Sequence, residues 1–248
     1  MRISSLRGKT ALVTGAGRGL GRALALGLAE RGAEVVLVAR SDAELAKTAD
    51  LAAGPTRLIP ADLGSPAEVA ALVEGAGPVD VLVNNAAVTR PVAPTAEVDP
   101  ADFAAAIATN LTAPVTLTLG VLPGMLARGW GRVVNVSSGV AAHPGSLIGG
   151  NAYTTTKAAL EAHSRNLAAE LAGTGVTVNV YQPGMVDTAM QTEIRGDLGR
   201  GLAEPVRRGF ADAYENGVLI TPEASAAGLL DHLLGDDNGV TWDAPGFG

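Results

Sequence analysis

The strongest constraint on this chain is a regular alternation between short apolar runs and longer stretches with helical spacing. Residues 34–39, Glu-Val-Val-Leu-Val-Ala, are apolar at nearly every position rather than at every second one. A run of that kind suits a strand covered on both faces, as in a parallel sheet flanked by helices. Similar β-prone runs occupy 9–14, 57–59, 79–83, 133–136 and 176–181, with a short final one at 240–242. Between them the sequence carries helix signals. Leu20, Leu24 and Leu28 recur every four residues, and Ser41-Asp42-Ala43-Glu44 and Ser65-Pro66-Ala67-Glu68 are capping boxes. Asp99-Pro100-Ala101-Asp102 opens a further helix, followed by a long one over about 109–128. Another runs from Tyr153 to about residue 172, and Thr221-Pro222-Glu223 caps the last. Residues 188–217 read as irregular. The pattern predicts an α/β fold: one Rossmann-like, doubly wound domain over 1–248, with a mostly or wholly parallel sheet of about seven strands.

Ligands of such sheets bind beyond the carboxyl ends of the strands, so the residues that follow each apolar run carry the functional argument. Composition narrows the chemistry first. Cysteine is absent, and the histidines His143, His163 and His232 are far apart, which argues against a metal site. A net charge of −7 disfavours nucleic acid and anionic membrane surfaces as partners. No apolar run approaches a membrane span, and the first residues lack a secretory pattern, so a soluble, cytoplasmic protein is expected.

After the first run comes Thr14-Gly15-Ala16-Gly17-Arg18-Gly19-Leu20-Gly21. Glycines there let the backbone turn tightly and approach a pyrophosphate at a helix N-terminus. Four glycines at alternate positions exceed what a plain turn requires. The second run ends in Arg40-Ser41 rather than in an acid that could bind a ribose 2′-hydroxyl, and Asp42 is better explained as a first-turn residue of the next helix. Arg40, with Arg18 beside it, suits a 2′-phosphate, which favours NADP(H) over NAD(H). Asp62 reads equally as a loop cap or an adenine contact, and Asn84-Asn85 as loop braces or ribose contacts. Asn110 is a polar residue in an apolar helix and needs partners. Pro183-Gly184 stops the sixth strand, and the amides beyond it, with the Thr188 hydroxyl, could hold a carboxamide or phosphate.

Tyr153 and Lys157 lie four residues apart and share one helix face. A phenol titrates near pH 10, and an ammonium held beside it would bring it toward neutral pH. Ser138 lies fifteen residues earlier, just past a strand. The three together could move a proton on and off an oxygen. His143, in the loop between them, reads as solvent-exposed.

In this order the motifs resemble the short-chain dehydrogenase/reductase family across essentially the whole chain: Thr14 to Gly21, Asp62, Asn84-Asn85-Ala86, Asn110, Ser138, Tyr153-x-x-x-Lys157 and Pro183-Gly184. The resemblance implies a catalytic tetrad of Asn110, Ser138, Tyr153 and Lys157. It also implies nicotinamide cofactor contacts from Gly15, Arg18, Gly19, Leu20, Gly21, Arg40, Asp62, Leu63, Asn85, Ala86, Tyr153, Lys157, Pro183, Gly184, Val186 and Thr188. The substrate would be a small-molecule carbonyl or alcohol, with Val140, Leu147, Ile148, Met185 and Met190 flanking the chemistry. Relatives are commonly homo-oligomers, tetramers above all, that pack the helices at about 109–128 and 153–172 against symmetry mates. The turn Gly173-Thr174-Gly175 lacks the basic residues that an acidic carrier protein would favour. A non-catalytic dinucleotide sensor and a cofactor-assisted epimerase or dehydratase are the alternatives.

Overall fold

The computed structural model describes residues 5–246. Of the segment running to the C-terminus, Phe247 and Gly248 lie outside the described residues, as do Met1 to Ser4. The strands are β1 (Thr10–Thr14), β2 (Glu34–Ala39), β3 (Thr56–Pro60), β4 (Val81–Asn84), β5 (Gly131–Val136), β6 (Val176–Gln182) and β7 (Thr241–Asp243). They form one sheet in the order β3-β2-β1-β4-β5-β6-β7, with every pairing parallel.

Near-continuous hydrophobicity in the strands follows from burial on two faces. On one face Val13, Val35, Leu37, Val83 and Val134 meet Leu24 and Leu28 of α1 (Gly19–Glu30), Leu45 of α2 (Asp42–Leu51) and Leu229, Leu230 and Leu233 from α9 (Pro222–His232) and its end. On the other, Leu12, Val36, Leu82, Val133 and Val178 meet Leu72 of α3 (Pro66–Gly75), Leu117 and Met125 of α5 (Ala113–Arg128) and Leu167 of α6 (Asn151–Glu170). The central strands β1, β2, β4 and β5 supply alternate residues to the two clusters, so a one-residue slip in register would exchange the cores.

Two stretches depart from the sequence reading. The helix at α4 (Pro100–Ile107) does not stop before the long one. It runs through a π-helical turn at Ala108–Thr112 into α5, giving a single helix over Pro100–Arg128. Joined in this way its 29 residues are long and apolar enough to cross a membrane by length and composition, with a mean hydropathy of 1.5 in the most apolar window, contrary to expectation. Its inner side packs on the sheet, whereas Leu119 on its outer side is 59% exposed.

The second departure is the segment 188–217, which is not irregular. It forms α7 (Ala189–Arg195), a 3-10 turn (Asp197–Gly201) and α8 (Glu204–Glu215). Neither helix has a side-chain hydrogen bond at its N-cap, so the usual start signal is missing. Val206 and Phe210, one turn apart, pack with Ile194, Leu198 and Leu202 and with Val92, Leu147 and Met190. This small cluster is separate from the two sheet-packed cores.

Candidate active site

The sheet order reverses between β1 and β4, and that crevice is pinned by one threonine. The Thr14 hydroxyl accepts the backbone N–H groups of Asn85 and Ala86, each at 3.0 Å, while the Asn85 amide donates to the Thr14 carbonyl at 2.9 Å. Asn84 points the other way, into the core, and donates to Asn135 Oδ1 at 2.8 Å. Of the Asn84-Asn85 pair, one residue braces the core and the other the crevice.

Beyond this pin the carboxyl ends of the strands open into a single cleft of about 1550 Å³. One end is walled by the glycine turn, by Arg40 and by Asp62 and Leu63. The turn leaves no room for a side chain at Gly21. A Cβ on Gly21 would sit 2.1 Å from the Gly15 carbonyl oxygen, and Gly15 itself has φ +69°. The helix α1 that leaves this turn has no side-chain cap and no acid in its first turn, whereas α2, α3 and α9 are capped by Ser41, Ser65 and Thr221. Its free N–H groups therefore suit an anion such as a pyrophosphate.

Arg40 is exposed at the cleft edge, and Arg18 lies 4.0 Å from Glu193 of α7. Asp62 Oδ1 accepts the Gly64 N–H at 2.9 Å, so the loop-cap reading holds while the residue also lines the cleft. Leu20, Gly19, Ala86, Pro183, Gly184, Val186 and Thr188 line it as well. This donor set fits a dinucleotide.

Ser138, Tyr153 and Lys157 line the middle of the cleft. Ser138 follows β5, and the other two stand one turn apart near the start of α6. Lys157 is 2% exposed, its Nζ donates to the Val136 carbonyl at 2.7 Å and lies 5.6 Å from the centre of the Tyr153 ring. The expected direction of the tyrosine pKa is reversed in this arrangement. Burial pushes the Tyr153 phenol up to about 12, with the Ser138 hydroxyl pulling the other way. Burial also pushes Lys157 down to about 8, against the opposing charge of Glu161. The ammonium spends its hydrogen bond on a backbone carbonyl rather than on the phenol.

Asn110 does not line the cleft. It sits in the π-helical turn, accepts the Val88 N–H and donates to the Val88 carbonyl, both at 2.8 Å, and donates to Thr156 Oγ1 at 3.2 Å. It therefore ties the loop after β4 to the helix that carries Tyr153. Among the suggested pocket residues, Val140, Leu147 and Met190 line the cleft. Ile148 and Met185 lie outside it: Ile148 is 61% exposed with its carbonyl accepting the Ala203 N–H, and the Met185 carbonyl accepts from Ile220. His143 is exposed. The sequence reading missed the far wall, made by Val92, Ile194, Leu198, Leu202 and Phe210, because it rests on the helices of the segment taken as irregular. It also missed Glu161, although the spacing 153, 157, 161 puts that acid on the helix face of Tyr153 and Lys157.

Residues 9–199 match the short chain dehydrogenase family. The chain is 34% identical to the 3-oxoacyl-(acyl-carrier-protein) reductase FabG of Escherichia coli over 245 residues, covering 95% of this chain and 98% of that one. Among solved structures, a 3-oxoacyl (acyl-carrier-protein) reductase from Agrobacterium tumefaciens with NADP bound superposes with a TM-score of 0.84 at 32% identity, covering 98% of this chain and 95% of that one. A 3-ketoacyl-(acyl-carrier-protein) reductase from Brucella melitensis complexed with NADH has a TM-score of 0.82 at 29% identity, covering 96% and 97%.

The buried ammonium gives a direct test of the site. Because the fold lowers the Lys157 pKa from 10.5 to about 8, the unfolded chain binds the extra proton between those values, and stability from this group rises with pH across that window. Side-chain NMR of the protein alone should show one lysine titrating near pH 8, absent from Lys157→Met. A midpoint at the ordinary value would place the ammonium in water.

Proposed function

The chain belongs to the short-chain dehydrogenase/reductase family and is an NAD(P)-dependent oxidoreductase acting between carbonyl and hydroxyl groups, and within that activity we propose that Tyr153 is the proton donor and acceptor. The observation that carries this is the placement of Tyr153, Ser138 and Lys157 in the same cleft as the uncapped glycine turn. When bound, the nicotinamide cofactor supplies the hydride. The protein's own work is to move a proton and to hold charge. Ser138 donates to the substrate oxygen and stabilises the charge that develops there. A phenol at about 12 holds its proton firmly until such an oxygen becomes basic enough to take it. The Lys157 ammonium favours the phenolate left behind. Asn110 holds Val88 and Thr156 in place rather than touching the reacting atoms.

For the cofactor we favour NADP(H). Arg40 and Arg18 supply two cations beside the ribose end of the cleft, and the strand end before them carries no acid. The far wall of Val92, Leu147, Met190, Ile194, Leu198 and Phe210 suits a small or medium-sized, largely apolar substrate. A free ketone or alcohol fits better than a carrier-bound acyl group, since the turn Gly173-Thr174-Gly175 offers no cation. The outer side of α5, with Leu119 59% and Leu126 40% exposed, is assigned to a second copy of the chain, as is the small-residue face of α6 around Ala159 and Ala162. A monomer on sedimentation at micromolar concentration would contradict that assembly.

Two measurements test the chemistry. Tyr153→Phe should lose at least about 100-fold in kcat, within the range ascribed to general acid–base catalysis, while binding the dinucleotide as before. Wild-type turnover in this variant would sink the assignment. Catalytic efficiency should be higher with NADPH than with NADH, and Arg40→Asp should narrow or invert the ratio. A wild type that prefers NADH would overturn the role given to Arg40.

A further inference from the structure

Behind the cleft, one turn beyond Lys157, a carboxylate is shut inside the protein. The Glu161 side chain is 5% exposed and all its hydrogen-bond partners belong to segments that bear on the site. Its Oε1 accepts the Ser137 hydroxyl at 2.7 Å and the Gln182 amide at 3.1 Å. Its Oε2 accepts Arg165 Nη2 at 2.7 Å. Ser137 immediately precedes Ser138, and Gln182 immediately precedes the Pro183-Gly184 turn. The two residues are neighbours at the end of the β5–β6 ladder, where the Ser137 N–H donates to the Tyr181 carbonyl at 2.7 Å.

We propose that Glu161 is a positioning residue for the reaction, with its carboxylate fixing the Ser137-Ser138 turn and the Gln182-Pro183 turn to the helix that carries Tyr153 and Lys157. The proposal rests on the proton-transfer role given to Tyr153. A buried carboxylate is costly to keep unless its oxygens are filled, and here they receive three donors, from the turn after β5, the end of β6 and α6. A plain packing role would be met by an apolar side chain, as at Leu160 and Leu167 on the same helix. The acid instead sets where the Ser138 hydroxyl stands relative to the phenol.

It also provides the charge that faces the Lys157 ammonium. The groups around that ammonium are Tyr153 and Glu161 on its own helix and the Val136 carbonyl from β5. Arg165 stands on the far side of Glu161, Gln182 of β6 is uncharged, and Asn110 of the π-helical turn is uncharged and bonded to Thr156. Removing the Glu161 charge leaves burial unopposed, so Lys157 loses its proton at a lower pH than in the wild type.

The test uses the full chain with NADPH and a ketone that the wild type reduces. Glu161→Ala should lower kcat by about 10- to 100-fold, the scale of a misplaced reacting group, with dinucleotide affinity within about threefold of wild type. Glu161→Gln keeps the shape and part of the hydrogen bonding, so it should recover some of kcat while the alkaline fall of kcat moves to lower pH. A movement of that limb is not expected from loss of packing alone. Folded Glu161→Ala with wild-type kcat, or Glu161→Gln with an unmoved limb, overturns the proposal. If Glu161→Ala does not fold, Ser137→Ala, which removes one donor and no charge, should lower kcat and leave the limb in place, and unchanged kcat there also overturns it. Tyr153→Phe assayed alongside separates the two ideas, because activity in that variant defeats the proton-transfer role itself.

Discussion

Everything at the site depends on how closely two backbone segments approach at the end of β1. With no Cβ on Gly21, helix α1 starts directly against the Gly15 carbonyl, where a methyl would lie 2.1 Å from the oxygen. The Thr14 hydroxyl then draws in the amides that follow β4. These contacts close the crevice on one side and open it on the other, at the point where the sheet order reverses. A larger residue at either glycine would push α1 off the sheet and remove the free N–H groups that make the cleft receptive to an anion.

The second constraint is electrostatic. Helix α6 brings a phenol, an ammonium and a carboxylate to successive turns of one face, shutting the ammonium and the carboxylate inside the protein and half-burying the phenol. Burial then governs both titrating groups, raising the phenol to about 12 and lowering the ammonium to about 8. Neither value suits proton exchange in isolation. In the proton transfer proposed for Tyr153 they become useful when a substrate oxygen gathers charge beside the phenol, because the nearby ammonium would then stabilise the phenolate. A resting site that holds its proton is also protected against proton loss to solvent before substrate is in place.

Much of this was legible in the sequence, for identifiable reasons. The central strands declare themselves because both faces are buried, and α2 and α3 declare their starts through Ser41 and Ser65. The Tyr153–Lys157 pair follows from helical spacing alone. What could not be read depends on distant partners. At the π-helical turn Asn110 is bonded to Val88 and Thr156, distant partners that no local pattern announces. Helices α7 and α8 lack side-chain caps and are held by Val92 and Leu147, which lie far away in the chain. The direction of the tyrosine shift depends on desolvation, which spacing does not report.

The central claim is that this cleft passes a hydride directly between the nicotinamide and a substrate carbon while the protein handles only the proton. Isotope tracing tests it most directly: the enzyme reduces a ketone with NADPH carrying deuterium on the transferred face of the nicotinamide, in ordinary water. The account predicts one deuterium on the new carbinol carbon and a solvent-derived proton on its oxygen. A carbinol carbon bearing hydrogen from water, with the label lost from the cofactor, would contradict it.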